Sequence, residues 1–144
     1  MNKLLILKDM EGEKNLDQLI KSMKPVINEE DYVFCEINDL ARVNIDNIVS
    51  FFREKESITV ILKKEYADEL SLKYGYIAAW ITLTVHSSLE AVGLTAAFAQ
   101  ALAKENISCN VVAAYYHDHI FVDKADADKA MEVLRKLSKT NSHQ

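Results

Sequence analysis

Three short stretches hold the side chains best able to bind or react: His86-Ser87-Ser88-Leu89-Glu90, the isolated Asn110, and His117-Asp118-His119. An imidazole with two carboxylates, His86 beside Glu90 and Asp118, is the equipment a small enzyme uses for proton transfer. Nothing in their spacing demands that they meet. In an extended segment His117 and His119 share a face and, with Asp118, offer the donors of a transition-metal site; the same residues equally suit a tight hairpin turn. Asn110 lies among apolar residues in a segment expected to be a central strand. A buried amide there needs hydrogen-bond partners, either in the loop at Ser87 or in a ligand. Ser87-x-x-Glu90 matches a capping box at a helix start. The first amides of a helix lack internal partners and carry partial positive charge. They either take their own Ser and Glu or bind an anion such as the carboxylate of a free amino acid. Gly93, one turn further on, costs about 1 kcal/mol against alanine and points to close backbone packing, against a helix or a ligand. No nucleophile elbow, phosphate-cradling loop or dinucleotide fingerprint occurs, and three glycines cannot build one.

The elements that must position these residues follow from periodicity. Trp80–His86 alternates, with Ile81, Leu83 and Val85 on one face and Trp80, Thr82, Thr84 and His86 on the other, the mark of a strand. A helix is expected over Ser88–Lys104, where Leu94, Phe98 and Leu102 stack and six alanines let a neighbour approach. Ile107–Ala114 reads as a strand, Tyr115–Asp118 as a turn, and His119–Val122 as the hairpin partner. Asp123 then caps a last helix on which Ala127, Ala130, Leu134 and Leu137 share a face. The order β-α-β-β-α is that of the split βαβ, or ferredoxin-like, unit.

The first half gives a vaguer version of that order. Leu4–Leu7 is a candidate strand, and Leu16, Leu19, Ile20 and Met23 fit a helix ended by Pro25. Tyr32–Ile37 and Ile58–Leu62 read as strands, Glu65–Leu70 as a brief helix. Between them, Ile45, Ile48, Val49 and Phe52 fall at helical spacing. An echo supports duplication: Val60-Ile61-Leu62-Lys63-Lys64 with Ala67-Asp68 reappears, sixty residues on, as Ile120-Phe121-Val122-Asp123-Lys124 with Ala127-Asp128.

With 144 residues, 49% apolar and 27% charged, the chain has enough core for one body of two small halves and is not disordered. Its net charge of −5, without a basic run, argues against nucleic acid. Met1–Lys8 is too short for a signal peptide, and no apolar stretch is long enough to span a membrane. Cys35 and Cys109 sit inside apolar runs and read as buried thiols.

Phe52-Arg53-Glu54-Lys55-Glu56, Ala79-Trp80-Ile81-Thr82-Leu83, His86 through Ala96, Ile107 through Ala113 and Tyr116-His117-Asp118-His119 together resemble a family of small bacterial proteins. These consist of two tandem ACT-like domains and mostly lack an assigned function. The likeness covers nearly the whole chain, most strongly from about residue 52 to 125, and the Ser88–Thr95 run is its most specific part. The strand–helix–strand also resembles the ACT domains of aspartate kinases and of animal cytosolic arginine sensors. The resemblance implies an α+β, ferredoxin-like (ACT-like) βαββαβ sandwich in two tandem copies packed together, residues 1–70 and 71–144. It implies a non-enzymatic regulatory module that binds a small molecule, usually an amino acid, with no cofactor or metal. The ligand-binding loop that the resemblance implies is His86–Val92, with His86, Ser87, Ser88, Leu89, Glu90 and Val92; Gly93, Asn110 and Asp118 are the candidates that the residues themselves add. Amides near Ser87–Glu90 would take the carboxylate, Asp118 or Glu90 the ammonium, while His86 and Asn110 orient it. Ser87-Ser88 stand where most ACT domains carry a glycine. The expected setting is cytoplasmic, the expected assembly a homo-oligomer, and the output passes through a separate protein partner. A small enzyme built on His86, and an interaction module without ligand, are the rival readings.

Overall fold

A computed structural model describes residues 15–85 and 91–140; the Leu4–Leu7 strand and the stretch His86–Glu90 lie outside the described residues. The Asn15 side chain accepts from the Gln18 amide and starts α1, Leu16–Ser22. This helix stops before Pro25, which takes the second place in a 14-residue strand, β1, Lys24–Ile37. The strand expected at Tyr32 therefore begins much earlier. Asn38–Lys55 is not helical despite its spacing. It forms two 3₁₀ turns, Leu40–Arg42 and Ile45–Asn47, and then strand β2, Ile48–Arg53. Asp39 and Asn44 are the reason. Each side chain accepts from the amide two residues on, at 2.9 and 3.0 Å, which closes a tight turn in place of a helical one.

The rest follows as β3 (Ile58–Lys63), α2 (Lys64–Glu69), β4 (Ile77–Thr84), α3 (Leu94–Lys104), β5 (Asn110–Ala113), β6 (Asp118–Asp123), a 3₁₀ turn and α4 (Ala127–Thr140). Asp123 accepts from the Ala125 amide at 2.8 Å and so opens the final helical segment. None of the described helices is long and apolar enough to cross a membrane.

The six described strands form one antiparallel sheet in the order β2-β3-β1-β4-β6-β5. The two halves are thus joined edge to edge through β1 and β4, and each half's sheet is extended by the other's first strand. A pseudo-twofold runs through that seam. Tyr32↔Lys63 on one side corresponds to Ala78↔Asp123 on the other, and Tyr32 itself pairs with Ala78. Val33↔Ile77 maps in the same way onto Asp31↔Ala79. The hairpins match in register too, since Ser50↔Ile61 and Phe51↔Val60 recur sixty residues later as Asn110↔Phe121 and Val111↔Ile120. What differs is the crossover: two 3₁₀ turns join β1 to β2, whereas α3 joins β4 to β5. The fold is the α+β, ferredoxin-like arrangement in two packed copies.

The described helices cover one face. On the second half, Ile81, Leu83, Val85, Ile120 and Val122 meet Leu19, Ile20 and Met23 of α1, Phe98 and Leu102 of α3, and Leu134 of α4. On the first, Val33, Cys35, Ile37, Val60 and Leu62 pack against Ala67 of α2. The N-terminal helix α1 therefore serves the C-terminal half. Ser138 on α4 fastens it, its hydroxyl donating to the Ile20 and Met23 carbonyls at 3.0 and 2.9 Å. The opposite face bears an aromatic layer of Tyr32, Phe121, Phe34 and Trp80 around Ile61 and Ala78.

Candidate functional site

The site expected after β4 is displaced from its anticipated geometry. The helix begins at Leu94, not Ser88, and Ala91 and Val92 are not helical. Gly93 lies at its N-cap, not one turn inside, with φ of 95°. Only glycine adopts that left-handed backbone readily, and a Cβ there would stand 3.1 Å from a Leu16 methyl. The close packing inferred for Gly93 is thus contact with α1. Because Gly93 has no side chain, it accepts nothing from the first amides of α3, and no acidic residue occupies that first turn. The positively polarised terminus moves by about a turn and a half but keeps its character. Val92, beside it, is 84% exposed.

Asp118 and Asn110 do not come together. Asp118 opens β6 opposite Leu83, near the point where the chain leaves β4, and is 7% exposed. Asn110 lies opposite Phe121, three residues further along β6 and so about 10 Å away. It also points to the other sheet face. The strand expected to be central, Ile107–Ala114, shortens to β5 at the sheet edge, and Asn110 is exposed there. Its amide donates to the Phe121 carbonyl at 3.4 Å. Burial pushes the Asp118 carboxyl above its ordinary value, while His119 and His117 act in the opposite sense.

His117 and His119 diverge in role. Among the described residues no three His, Cys, Asp or Glu side chains converge as a metal site. Trp80 Nε1 donates to His119 Nδ1 at 3.0 Å, so that nitrogen must be unprotonated and the ring proton sits on Nε2. Thr82 Oγ1 lies 3.2 Å from the same atom and accepts from Asn28 Nδ2 at 3.1 Å. Asn28 also donates to the Trp80 carbonyl, at 3.1 Å. The network stitches β1, β4 and β6 together on the helix-free face. It was not legible beforehand because it joins residues 28, 80, 82 and 119.

Burial, followed by His117, holds the His119 imidazole below its ordinary value, against the pull of Asp118. A depressed folded-state value means that the neutral ring is preferred on folding. The stabilisation is complete above the unfolded value of about 6.5 and is lost as pH falls through the folded value. Urea midpoints should decline between about pH 7 and pH 5. The decline should shrink in His119→Gln. The two cysteines behave as expected: Cys35 is buried, and burial pushes the half-buried Cys109 thiol up to about 11.

Comparison with known proteins gives a consistent picture. Two family models match, both described as ACT domain, over residues 11–79 and 76–136. A protein of unknown function from Vibrio cholerae is 45% identical, with a TM-score of 0.77 over 87% of this chain and 97% of that one. The regulatory subunit of aspartate kinase from Thermus thermophilus, 9% identical, aligns with a TM-score of 0.57 over 78% of this chain and 95% of that one. Aspartate kinase from Clostridium acetobutylicum, 11% identical, scores 0.59 over 78% of this chain and 34% of its own. At such identities the likeness is one of fold. A search of curated proteins finds no match. The chain belongs to the ACT-domain family and carries two ACT domains in tandem.

Proposed function

We propose that this chain is a non-enzymatic regulatory module that binds a free amino acid where the connection after β4 meets the start of α3. ACT domains commonly bind amino acids as regulatory modules. The observation that carries the reading is the N-terminus of α3 at Gly93, which among the described residues has no side-chain cap and no acid in its first turn, set in the same half as the buried Asp118. The amides of Leu94 and Thr95, with His86–Glu90 and Val92, take the ligand's carboxylate, and Asp118 faces its ammonium. Asn110, on the other sheet face, falls away from this set. We further infer that the boundary between the halves lies near residue 70, and that the protein is cytoplasmic and self-associates. Its edge strands β2 and β5, each paired on one side among the described residues, support self-association, and its signal passes through a protein partner.

Asp118 provides the test. A carboxyl whose folded-state value is raised favours folding only where it is protonated. Its ionised form opposes folding as pH rises above that value. Asp118→Asn should therefore raise the neutral-pH melting temperature of the free protein. In wild type, one of the twenty amino acids at about 100 times its Kd should add roughly 2.7 kcal/mol of stability. That response should be lost in Asp118→Asn. A folded protein whose melting temperature none of the twenty moves would overturn the proposal.

A further inference from the structure

On the helix-free face, one indole bridges the seam between the halves. Trp80 of the second half meets Tyr32 of the first edge to face at 5.2 Å and stacks with Phe121 at 6.1 Å. The indole is held there by the bond from its Nε1 to His119 Nδ1, at 3.0 Å. The opposite flip of the imidazole would set a C–H at this spot, so the same bond orients both rings. An indole N–H can only donate, whereas Nδ1 accepts only while it carries no proton. We propose that His119 is a proton-operated latch: the neutral ring holds Trp80 against Tyr32, and protonation at Nδ1 releases the indole from the aromatic layer while the fold persists.

Protonation sets two N–H donors against each other across 3.0 Å. It also puts positive charge at the edge of the indole, where the ring quadrupole repels a cation. The new donor has an acceptor within reach. Thr82 Oγ1 lies 3.2 Å from Nδ1 and accepts from Asn28 Nδ2 at 3.1 Å, which leaves its second lone pair for the imidazolium. The proton thus exchanges one partner on β4 for another, Trp80 for Thr82. Around the ring, β4 presents Trp80 and Thr82, with Tyr32 beyond the indole, and β5 presents Val112. From β1 come Asn28 and, further along opposite Thr84, Lys24. On its own strand His117 opposes the charge and Asp118 favours it, while burial opposes it most. The latch is therefore closed near neutral pH and opens below the ordinary imidazole value of about 6.5.

Trp80 is the chain's single tryptophan, so its emission and its indole N–H resonance report on the latch in the intact protein. As pH falls from about 7.5 to about 5, the emission maximum should move to longer wavelength and the indole proton upfield. Both should follow one transition with a midpoint below about 6.5, while far-UV circular dichroism stays unchanged. His119→Gln, whose amide oxygen can accept from the indole and does not titrate, should abolish the transition. His117→Gln should keep it and raise its midpoint, because a neighbouring positive charge is removed. Thr82→Val, which takes away the second acceptor, should lower the midpoint. A constant signal from the folded protein, a transition that survives in His119→Gln, or one that coincides with loss of secondary structure would each overturn the proposal.

Discussion

Phe121→Ala is expected to lower the unfolding free energy by about 3–5 kcal/mol, a large part of the margin of a protein this size. Phe121 is 1% exposed although none of the described helices covers its face of the sheet. Its burial comes from neighbouring strands: Phe34 meets it edge to face at 5.4 Å, and Trp80 stacks with it at 6.1 Å. Truncation removes the apolar area of a whole ring and the pairwise aromatic attractions, each worth about 0.5–1.5 kcal/mol. It leaves a gap whose lining is held in place by backbone ladders on both sides and so relaxes little. Urea denaturation followed by circular dichroism measures it, with the midpoint falling at constant slope. A loss below about 1 kcal/mol would mean that the aromatic layer is a surface and not a second core.

A still larger effect is expected from dividing the chain at the proposed boundary. Residues 1–70 and 71–144, expressed separately, should each fail to fold, while the intact chain unfolds in one transition. Both edges of β1 are engaged, one by β3 and the other by β4, the latter over a ladder from Lys24↔Thr84 to Val33↔Ile77. Cutting there bares a long apolar strand edge on each fragment. It also strips α1 from the half whose core it closes, exposing Leu19, Ile20 and Met23 on one fragment and Leu83 and Leu134 on the other. Fragments of about 70 residues have little core to lose. Heteronuclear NMR of each fragment decides the point: dispersed amide resonances from either alone would show that the halves are independent.

Much of this architecture was written in local pattern. β3, α2, β4, β6 and α4 declare themselves through period and capping residue, and the sixty-residue echo between Val60 and Ile120 reappears as identical hairpin register. The failures have physical causes. Ile45, Ile48, Val49 and Phe52 imitate a helix because a helix and a bulged strand entered through a tight turn can share that spacing; the ladder shifts between Ile48 and Ser50. The start of α3 was misplaced because Ser87 and Glu90 satisfy a local rule, while the decisive fact, Gly93 in left-handed geometry against Leu16, is tertiary. Asn110 seemed central because its neighbours are apolar, yet edge position is set by pairing order. Asp118 and Gly93 stand out in the sequence, and the structure buries the first and sets the second at the start of α3. The Trp80–His119 network joins distant residues and leaves no trace in any one segment.

The placement of α1 bears on how the protein is made. The Ser138 hydroxyl that fastens it to α4 lies 115 residues beyond Met23. At roughly 5–20 residues per second, Leu19, Ile20 and Met23 wait on the order of ten seconds for their permanent neighbours. The apolar side of α1 must therefore be sheltered on the nascent chain until α4 has emerged.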